Sequence, residues 1–221
     1  MHNGGGAGRD HELARSAPFA VLEEALHRLA GRSPVLDLGC GTGFWLRRMG
    51  AAGLRPVGVE QDRARAGVAA GSGPVVVADG ARLPFADAVF GSVWCLHVLH
   101  HLARPEAVLA EVRRVLRPGA HLFLAESVED NPGMRAVRRL WPRWEGVPVL
   151  SRFRSRELAA MVSASGLELV DHRHHSPFSA AALALPWGRY RLWAGVRRLE
   201  RRLPRWLGRW GAHVDVVARA P

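Results

Sequence analysis

The chain has 221 residues, which is enough for one domain of ordinary size with a full hydrophobic core. Hydrophobic residues make up 48% of it, which excludes a disordered protein, and no apolar run approaches the ~20 residues that a transmembrane helix needs. The sequence starts without the apolar stretch of a secretory signal, and its two cysteines are too few for a disulfide framework. We therefore expect a cytoplasmic protein.

The formal net charge of +11 is unevenly distributed along the chain. Residues 1–130 hold 14 Arg and 14 Asp or Glu, whereas residues 131–221 hold 17 Arg and 6 Asp or Glu. The chain has no lysine, a bias typical of a GC-rich genome, but such a bias does not segregate charge. The C-terminal part is therefore where we expect an acidic partner, an anionic membrane or an anionic substrate.

Short apolar runs alternate with helical patterns over the first two thirds of the chain. Residues 1–9 predict a disordered N-terminus, and residues 10–30 have the apolar spacing of an amphipathic helix. The predicted strands are 35–38, 56–60, 75–78, 88–96 and 120–125, and the predicted helices are 42–49, 62–70 and 105–116, with a turn of helix at 98–102. Strands that alternate with helices indicate a parallel, doubly wound α/β sheet.

The pattern loosens after residue 127. We predict a short basic helix within 131–144, a helix that Ser155 caps and Gly166 ends, and two strands at 167–172 and 213–218. A basic, Trp-rich insertion, residues 176–210, precedes the last strand. No linker to a second domain is visible, so residues 10–221 are predicted to form a single domain.

A glycine-rich loop, residues 37–43, follows the first predicted strand and opens a helix. This context places the loop at the carboxyl edge of the sheet, where α/β folds bind ligands. Gly39 and Gly41 allow close approach of the backbone to a ligand, and Gly43 is expected to let the next helix pack near the strand. Asp37 adds a carboxylate, which suits a cationic ligand better than a phosphate. The spacing Gly-x-Gly-x-Gly disfavours a dinucleotide site without excluding it.

Four stretches together resemble class I S-adenosylmethionine-dependent methyltransferases of the small, single-domain kind (methyltransferase type 11) related to the ubiquinone and menaquinone C-methyltransferases. They are 35–43, 57–62, 78–85, and 93–102 followed by Arg117-Pro118-Gly119. The resemblance covers about residues 10–175. It implies a three-layer, Rossmann-like sheet of seven strands whose last strand is antiparallel. The chain departs from the pattern at Gly91, where relatives usually carry an aspartate.

The resemblance also implies a set of residues that bind S-adenosylmethionine. These residues are Asp37, Gly39, Cys40, Gly41, Gly43, Glu60, Gln61, Asp79, Gly80, Ala81, Cys95 and Leu96. In relatives the residue at the position of Glu60 accepts hydrogen bonds from both ribose hydroxyls, and the one at Asp79 accepts from the adenine amino group. Cys95 and Leu96 would face the sulfonium and the acceptor. As residue types, both cysteines read as small buried side chains rather than nucleophiles.

Three histidines, His97, His100 and His101, follow the fourth predicted strand. Imidazole titrates near neutrality, so one of them could take a proton from the acceptor, whereas the alternative is that they only cap or pack the next helix. Metal binding by His97 with His101, or by the histidines within 172–175, lacks a supporting Cys or Glu pattern. We therefore predict no metal.

Tryptophan and arginine recur at helical spacing in residues 187–210. This pattern is typical of an interfacial helix on an anionic membrane, but the favoured interpretation is a lid that turns its Trp face towards the substrate. The two roles are compatible if the substrate is a lipid. Nucleic acid is a less favoured partner, because no recognised nucleic-acid module is visible.

These observations predict a methyltransferase that moves a methyl group from S-adenosylmethionine to a small, hydrophobic metabolite, lipid-like or aromatic, by in-line displacement. Carbon and oxygen are the expected acceptor atoms, and bacterial secondary metabolism is the expected setting. The protein would be cytoplasmic or lie at the membrane periphery. The alternatives are an O- or N-methyltransferase of a polar metabolite, a catalytically inactive cofactor-binding partner or regulatory protein, and an RNA or DNA methyltransferase.

Overall fold

A computed structural model describes residues 33–140, 150–175 and 210–221, together with Val196 and Leu199. Its strands are β1 (Val35–Leu38), β2 (Pro56–Glu60), β3 (Val75–Val77), β4 (Phe90–Leu96), β5 (Leu116–Ser127), β6 (Glu168–His175) and β7 (His213–Arg219). Its helices are α1 (Phe44–Ala51), α2 (Arg63–Ala69), α3 (Pro105–Val115), α4 (Pro132–Leu140) and α5 (Ser155–Ala164), with short 3-10 helices at Ala70–Ser72 and Leu99–His101. The predicted segment 10–30 lies outside the described residues, as does most of 176–210.

One sheet contains all seven strands in the order β3-β2-β1-β4-β5-β7-β6. Strands β1 to β5 pair in parallel, and β7 runs antiparallel to both β5 and β6. The chain order reverses between β1 and β4, and at such a point the loops after the two strands separate and leave a crevice. The predicted doubly wound sheet with an antiparallel last strand is confirmed.

Helices cover both faces of the sheet, so β1 is buried along its whole length. Leu36 of β1 belongs to the main core together with Val108 of α3 and Leu158 of α5. Val35 points to the opposite face, where it packs with Met49 of α1. A strand covered on both sides is mostly apolar, as β1 is apart from Asp37, which explains why β1 could be located from the sequence. No helix of the described residues is long and apolar enough to cross a bilayer.

The start of α5 differs from the prediction that Ser155 caps this helix. Ser155 is the first residue of α5, and its amide donates to Asp130 Oδ2 at 2.7 Å. Glu157 accepts a hydrogen bond from the Arg154 amide at 2.8 Å, so two carboxylates satisfy the start of the helix. Gly166, with φ of +84°, ends the helix as predicted.

Strand β5 begins four residues before the predicted position, because the chain leaves α3 and pairs at once with β4. Leu116 pairs with Phe90, and the register shifts between Phe90 and Ser92. Gly91 lies at this irregularity, and its amide donates to the Pro34 carbonyl oxygen at 2.9 Å. The local geometry of β4 is therefore held without the aspartate that relatives usually carry here.

Candidate functional site

The loop after β1 is bound to β2 by backbone hydrogen bonds. The amides of Gly39 and Cys40 donate to the Val59 carbonyl oxygen at 2.8 and 3.0 Å. Gly39 has φ of +72°, and a Cβ at this position would lie 2.4 Å from Val98 Cγ2. Only glycine therefore permits the close contact between this loop and the chain that follows β4.

Gly43 has a different role from the predicted one. A Cβ at Gly43, whose φ is +85°, would lie 2.9 Å from the Ala69 Cα at the end of α2. Gly43 therefore allows α1 to start close to α2, whereas the sequence predicted close packing against a strand.

Glu60 joins the ends of β1 and β2 through its side chain. Its Oε2 accepts a hydrogen bond from the Gly41 amide at 3.0 Å, and its Oε1 accepts one from the Asp62 amide at 3.0 Å. The residue is only 9% exposed, so this carboxylate is held in one position. Each oxygen of a carboxylate can accept a second hydrogen bond, and two donors such as vicinal hydroxyls could use that capacity.

Asp37 is buried, and no hydrogen-bond partner for its Oδ2 exists among the described residues. Burial, followed by the negative charge of Glu60, raises the pKa of Asp37 to about 7. A buried carboxylate that lacks a donor and lies near a second carboxylate is destabilised when it is ionised. A cationic ligand would relieve this cost, so the pair suits a ligand with positive charge.

A cavity of about 380 Å³ opens beside this loop, a volume within the usual range for small-molecule sites. Of the residues predicted to bind the cofactor, the structure places Gly39, Gly41, Glu60, Gln61 and Gly80 on its wall. The ends of β1 and β2 and the segment after β3 therefore meet at one site, as the sequence predicted.

The turn after β4 adds two of the three predicted histidines to the same cavity. His97 and His101 line it, whereas the buried His100 does not. His97 has φ of +57°, an uncommon conformation for a residue other than glycine, and its amide donates to the Ala125 carbonyl oxygen at 2.8 Å. Outliers of this kind are concentrated at functional sites, which agrees with the position of His97 at the cavity.

Residues 36–124 match the family model described as a methyltransferase domain. The chain contains a methyltransferase domain. Its sequence is 32% identical to the methyltransferase GfsG of Streptomyces halstedii over 68% of this chain and 58% of that protein. It is 38% identical to the 27-O-demethylrifamycin SV methyltransferase of Amycolatopsis mediterranei over 48% of this chain and 47% of that protein.

The fold of this methyltransferase domain also occurs among solved structures. The crystal structure of the cyclase SpnF superposes with a TM-score of 0.60 at 22% identity, covering 90% of this chain and 81% of that one. The matches confirm the predicted family, and with it S-adenosylmethionine as the cofactor of the domain. The chain spans about half the length of the curated relatives named above.

Both cysteines of the domain lie in its core. Burial, then the charges of Asp37 and Glu60, raises the pKa of Cys40 to about 12, and burial raises the pKa of Cys95 well above its ordinary value. The expectation of two small buried residues therefore fits the structure. Cys95 packs in the main core and does not line the cavity, so its implied position against the sulfonium remains a prediction. Leu96 packs against the Trp94 cluster on the other face of the sheet.

Asp79 shapes the segment after β3. Its Oδ1 accepts a hydrogen bond from the Ala81 amide at 2.9 Å, which makes a tight turn. Asp79 itself is exposed, whereas its neighbours Ala78 and Gly80 line the cavity. Hydrogen bonding of the second Asp79 oxygen to an adenine amino group remains a prediction.

One group of possible metal ligands occurs among the described residues, namely His97, His100 and Glu126, whose ligand atoms lie within 4.8 Å of one another. His100 Nδ1 and Glu126 Oε2 are 2.5 Å apart, closer than the roughly 3 Å between neighbouring ligands when each bond to the metal is about 2.1 Å. The other oxygen, Oε1, accepts two backbone hydrogen bonds. The contacts are those of a hydrogen-bonded unit, and His101, which the sequence suggested with His97 as a possible ligand, does not belong to the group.

Sequence reasoning missed several residues of the site. Arg65 lines the cavity because α2 starts soon after Glu60, and the capping residue Asp62 was a signal that could have located it. Leu150 also lines the cavity, and its amide donates to the His100 carbonyl oxygen at 2.8 Å. This contact joins residues far apart in the chain, so no local pattern could have indicated it.

Proposed function

We propose that this protein is an S-adenosylmethionine-dependent methyltransferase that acts on a small, hydrophobic acceptor. The observation that carries the proposal is the carboxylate of Glu60 on the cavity wall, together with the buried Asp37, which does not line the cavity but has one oxygen without a donor among the described residues and a charge that burial disfavours. When bound, S-adenosylmethionine supplies a methyl group on a positively charged sulfur, and its ribose carries two hydroxyl donors. Both features match what the two carboxylates require.

In this reaction the protein aligns the cofactor with the acceptor and excludes water from the cavity. Glu60 is held by two backbone amides, so it can fix the ribose without reorganisation. Apolar side chains such as Val98 and Leu102 cover the same cavity and keep it dry near the reacting centre. Gln61 and Gly80 are the residues that we assign to the adenine side.

His97 and His101 are the groups that we assign to the acceptor, because both line the cavity and imidazole accepts protons near neutrality. A hydroxyl or an acidic carbon must lose a proton during methyl transfer, and either imidazole can accept it. The relative named for 27-O-demethylrifamycin SV supports a small-molecule acceptor with an oxygen nucleophile.

The test begins with S-adenosylhomocysteine, measured by thermal shift and calorimetry. We expect micromolar binding that Glu60→Ala weakens strongly, followed by transfer of labelled methyl from S-adenosylmethionine to some member of a panel of phenols, hydroxyquinones and macrolactones. Absence of binding would refute the proposal. Binding without turnover across the panel would favour a non-methylating role, for which the fold of the cyclase SpnF is a precedent.

We further propose that residues 10–221 form one domain in which 176–210 acts as a lid or an anionic-membrane contact at the cytoplasmic face. The charge supports an anionic surface, since residues 131–221 carry the whole positive excess. Co-sedimentation with vesicles that contain 30% phosphatidylserine, at physiological salt, separates the two roles. Binding that is lost when 187–209 are replaced by a neutral linker supports the membrane contact, and no binding leaves the lid.

A further inference from the structure

Glu126, near the end of β5, is fully buried, yet the cofactor site makes no use of it. Its Oε1 accepts hydrogen bonds from the amides of Val98 at 2.9 Å and Leu99 at 2.7 Å, and its Oε2 contacts His100 Nδ1 at 2.5 Å. A buried carboxylate is tolerated only when donors surround it, and here all three donors come from one turn. That turn carries the histidines of the cavity.

The contact with Glu126 determines which nitrogen of His100 is protonated. An ionised carboxylate is only an acceptor, so with Glu126 ionised the geometry assigns the hydrogen to Nδ1 of His100. The His100 carbonyl oxygen is also engaged, since it accepts from the amides of Leu150 and Ser151 at 2.8 and 3.0 Å. His100 is thus fixed through both its ring and its backbone, and the ring of His101 packs against it with 3.9 Å between centroids.

His97 lies on the other side of the same turn. Its left-handed backbone is strained for a residue with a Cβ, and such strain persists only where neighbouring contacts impose it. The contacts are present here, because the His97 amide is bonded to Ala125 and the next two amides are bonded to Glu126. The imidazole of His97 also packs edge to face against that of His213, with 5.5 Å between centroids.

We propose that Glu126 is a positioning residue for proton removal from the acceptor. It holds the 98–100 turn and fixes the tautomer of His100, and thereby places His97 and His101, the two imidazoles that reach the cavity. The inference rests on the proposed function and adds to it a preference for acceptors with a weakly acidic hydroxyl, such as phenols and enols. An imidazole would take the proton of such a group as the new oxygen–carbon bond forms and the methyl–sulfur bond breaks, with S-adenosylhomocysteine as the leaving group.

The variant Glu126→Gln tests this, since glutamine preserves the shape while its amide donates towards His100 Nδ1. Glu111→Gln is the matched control, because Glu111 also accepts from a distant amide, that of Leu83 at 2.8 Å, but its side-chain partner is Arg114 and not a residue of the 98–100 turn. Side-chain 15N spectra of histidine are recorded for both variants with S-adenosylhomocysteine bound. We expect His100 to change from the Nδ1-protonated to the Nε2-protonated tautomer in Glu126→Gln, with altered His97 and His101 resonances, and no such changes in Glu111→Gln.

Two further measurements separate this inference from the proposed function. Affinity for S-adenosylhomocysteine should stay within about threefold in Glu126→Gln, whereas kcat for a phenolic acceptor should fall by a factor of ten or more. If the His97 and His101 resonances of Glu126→Gln match those of the wild type, the inference is overturned. Glu126 would then only connect β5 to the turn after β4. If Glu126→Gln does not fold, His100→Gln is the second variant, because it retains the hydrogen bonds of Glu126 to Val98 and Leu99. The same His97 and His101 resonances then test whether the contact between Glu126 and His100 places these two imidazoles. If the wild type does not bind S-adenosylhomocysteine, the proposed function itself is refuted.

Discussion

Glu60 Oε2 accepts the amide hydrogen of Gly41 at 3.0 Å, so the glycine loop and the carboxylate that would hold the ribose form one unit. Glu60 ends β2, and Gly41 lies in the loop after the neighbouring parallel strand β1. Val59 strengthens the link by accepting from the amides of Gly39 and Cys40. A change at Glu60 should therefore affect the ligand and the loop together.

Replacing Glu60 by alanine should weaken S-adenosylhomocysteine binding. Two hydrogen bonds to a charged acceptor are worth about 2–4 kcal/mol together, which corresponds to a loss of about 30- to 1,000-fold in affinity. Isothermal titration calorimetry measures the dissociation constant of S-adenosylhomocysteine. Glu168→Gln is the control, because Glu168 pairs with Arg219 at an exposed sheet edge. Unchanged affinity in Glu60→Ala would show that Glu60 does not hold the ribose.

Stability of the cofactor-free protein should depend on pH through Asp37. The pKa of Asp37 is raised from its ordinary value of 3.8 to about 7, so between these values the folded state binds more protons than the unfolded state. Its contribution to the free energy of unfolding is fully present below about pH 4 and is lost as pH rises towards 7. Asp37→Asn should therefore raise the free energy of unfolding at pH 8 by a few kcal/mol and leave it nearly unchanged at pH 4, as urea titrations can measure.

The same carboxylate should make cofactor affinity depend on pH. Ionised Asp37 attracts the positive charge of S-adenosylmethionine, so affinity should rise as pH increases through about 7. Calorimetry between pH 5.5 and 8.5 should show this rise in the wild type and a nearly flat profile in Asp37→Asn. If affinity rises equally with pH in the wild type and in Asp37→Asn, a titratable group other than Asp37 causes the rise.

Two glycines of the loop offer a matched pair of alanine substitutions. Both have left-handed backbones, but a Cβ at Gly39 would meet Val98 Cγ2 at 2.4 Å, whereas a Cβ at Gly41 meets nothing within 4 Å. Gly41→Ala should cost about 1 kcal/mol of stability from backbone strain alone, and Gly39→Ala about 2–4 kcal/mol, because the clash adds to the strain. Equal costs in chemical denaturation would mean that Val98 moves aside freely.

Both cysteines should resist alkylation in the folded protein. Burial raises the pKa of the Cys40 thiol to about 12 and that of Cys95 well above its usual value, so almost no thiolate exists at pH 8. Mass spectrometry after treatment with iodoacetamide should find neither residue modified until urea unfolds the chain. Rapid labelling of native Cys40 would place its sulfur on the cavity wall instead of in the core.

Much of the fold and half of the site followed from short sequence patterns. The bounds of β1 and β2 were predicted to the residue, because both are short, mostly apolar segments whose only charged residues are Asp37 and Glu60. Glu60 and the glycine loop were identified because both follow such strands and so meet at one edge of the sheet. The prediction that Ser155 caps α5 was wrong. The Ser155 amide instead donates to Asp130, which lies 25 residues away in sequence, so a local capping rule could not identify it.

The sequence by itself determined the family, the parallel sheet and the carboxylate-flanked loop, because each depends on residues that are close together in the chain. Only the tertiary structure decided that His100 faces Glu126 while His97 and His101 face the cavity. Strand position and helix spacing specify where a residue lies along an element. The packing of the sheet and its helices determines which distant residue it contacts. Leu99 and Glu126 are 27 residues apart, and no local sequence pattern predicts their hydrogen bond.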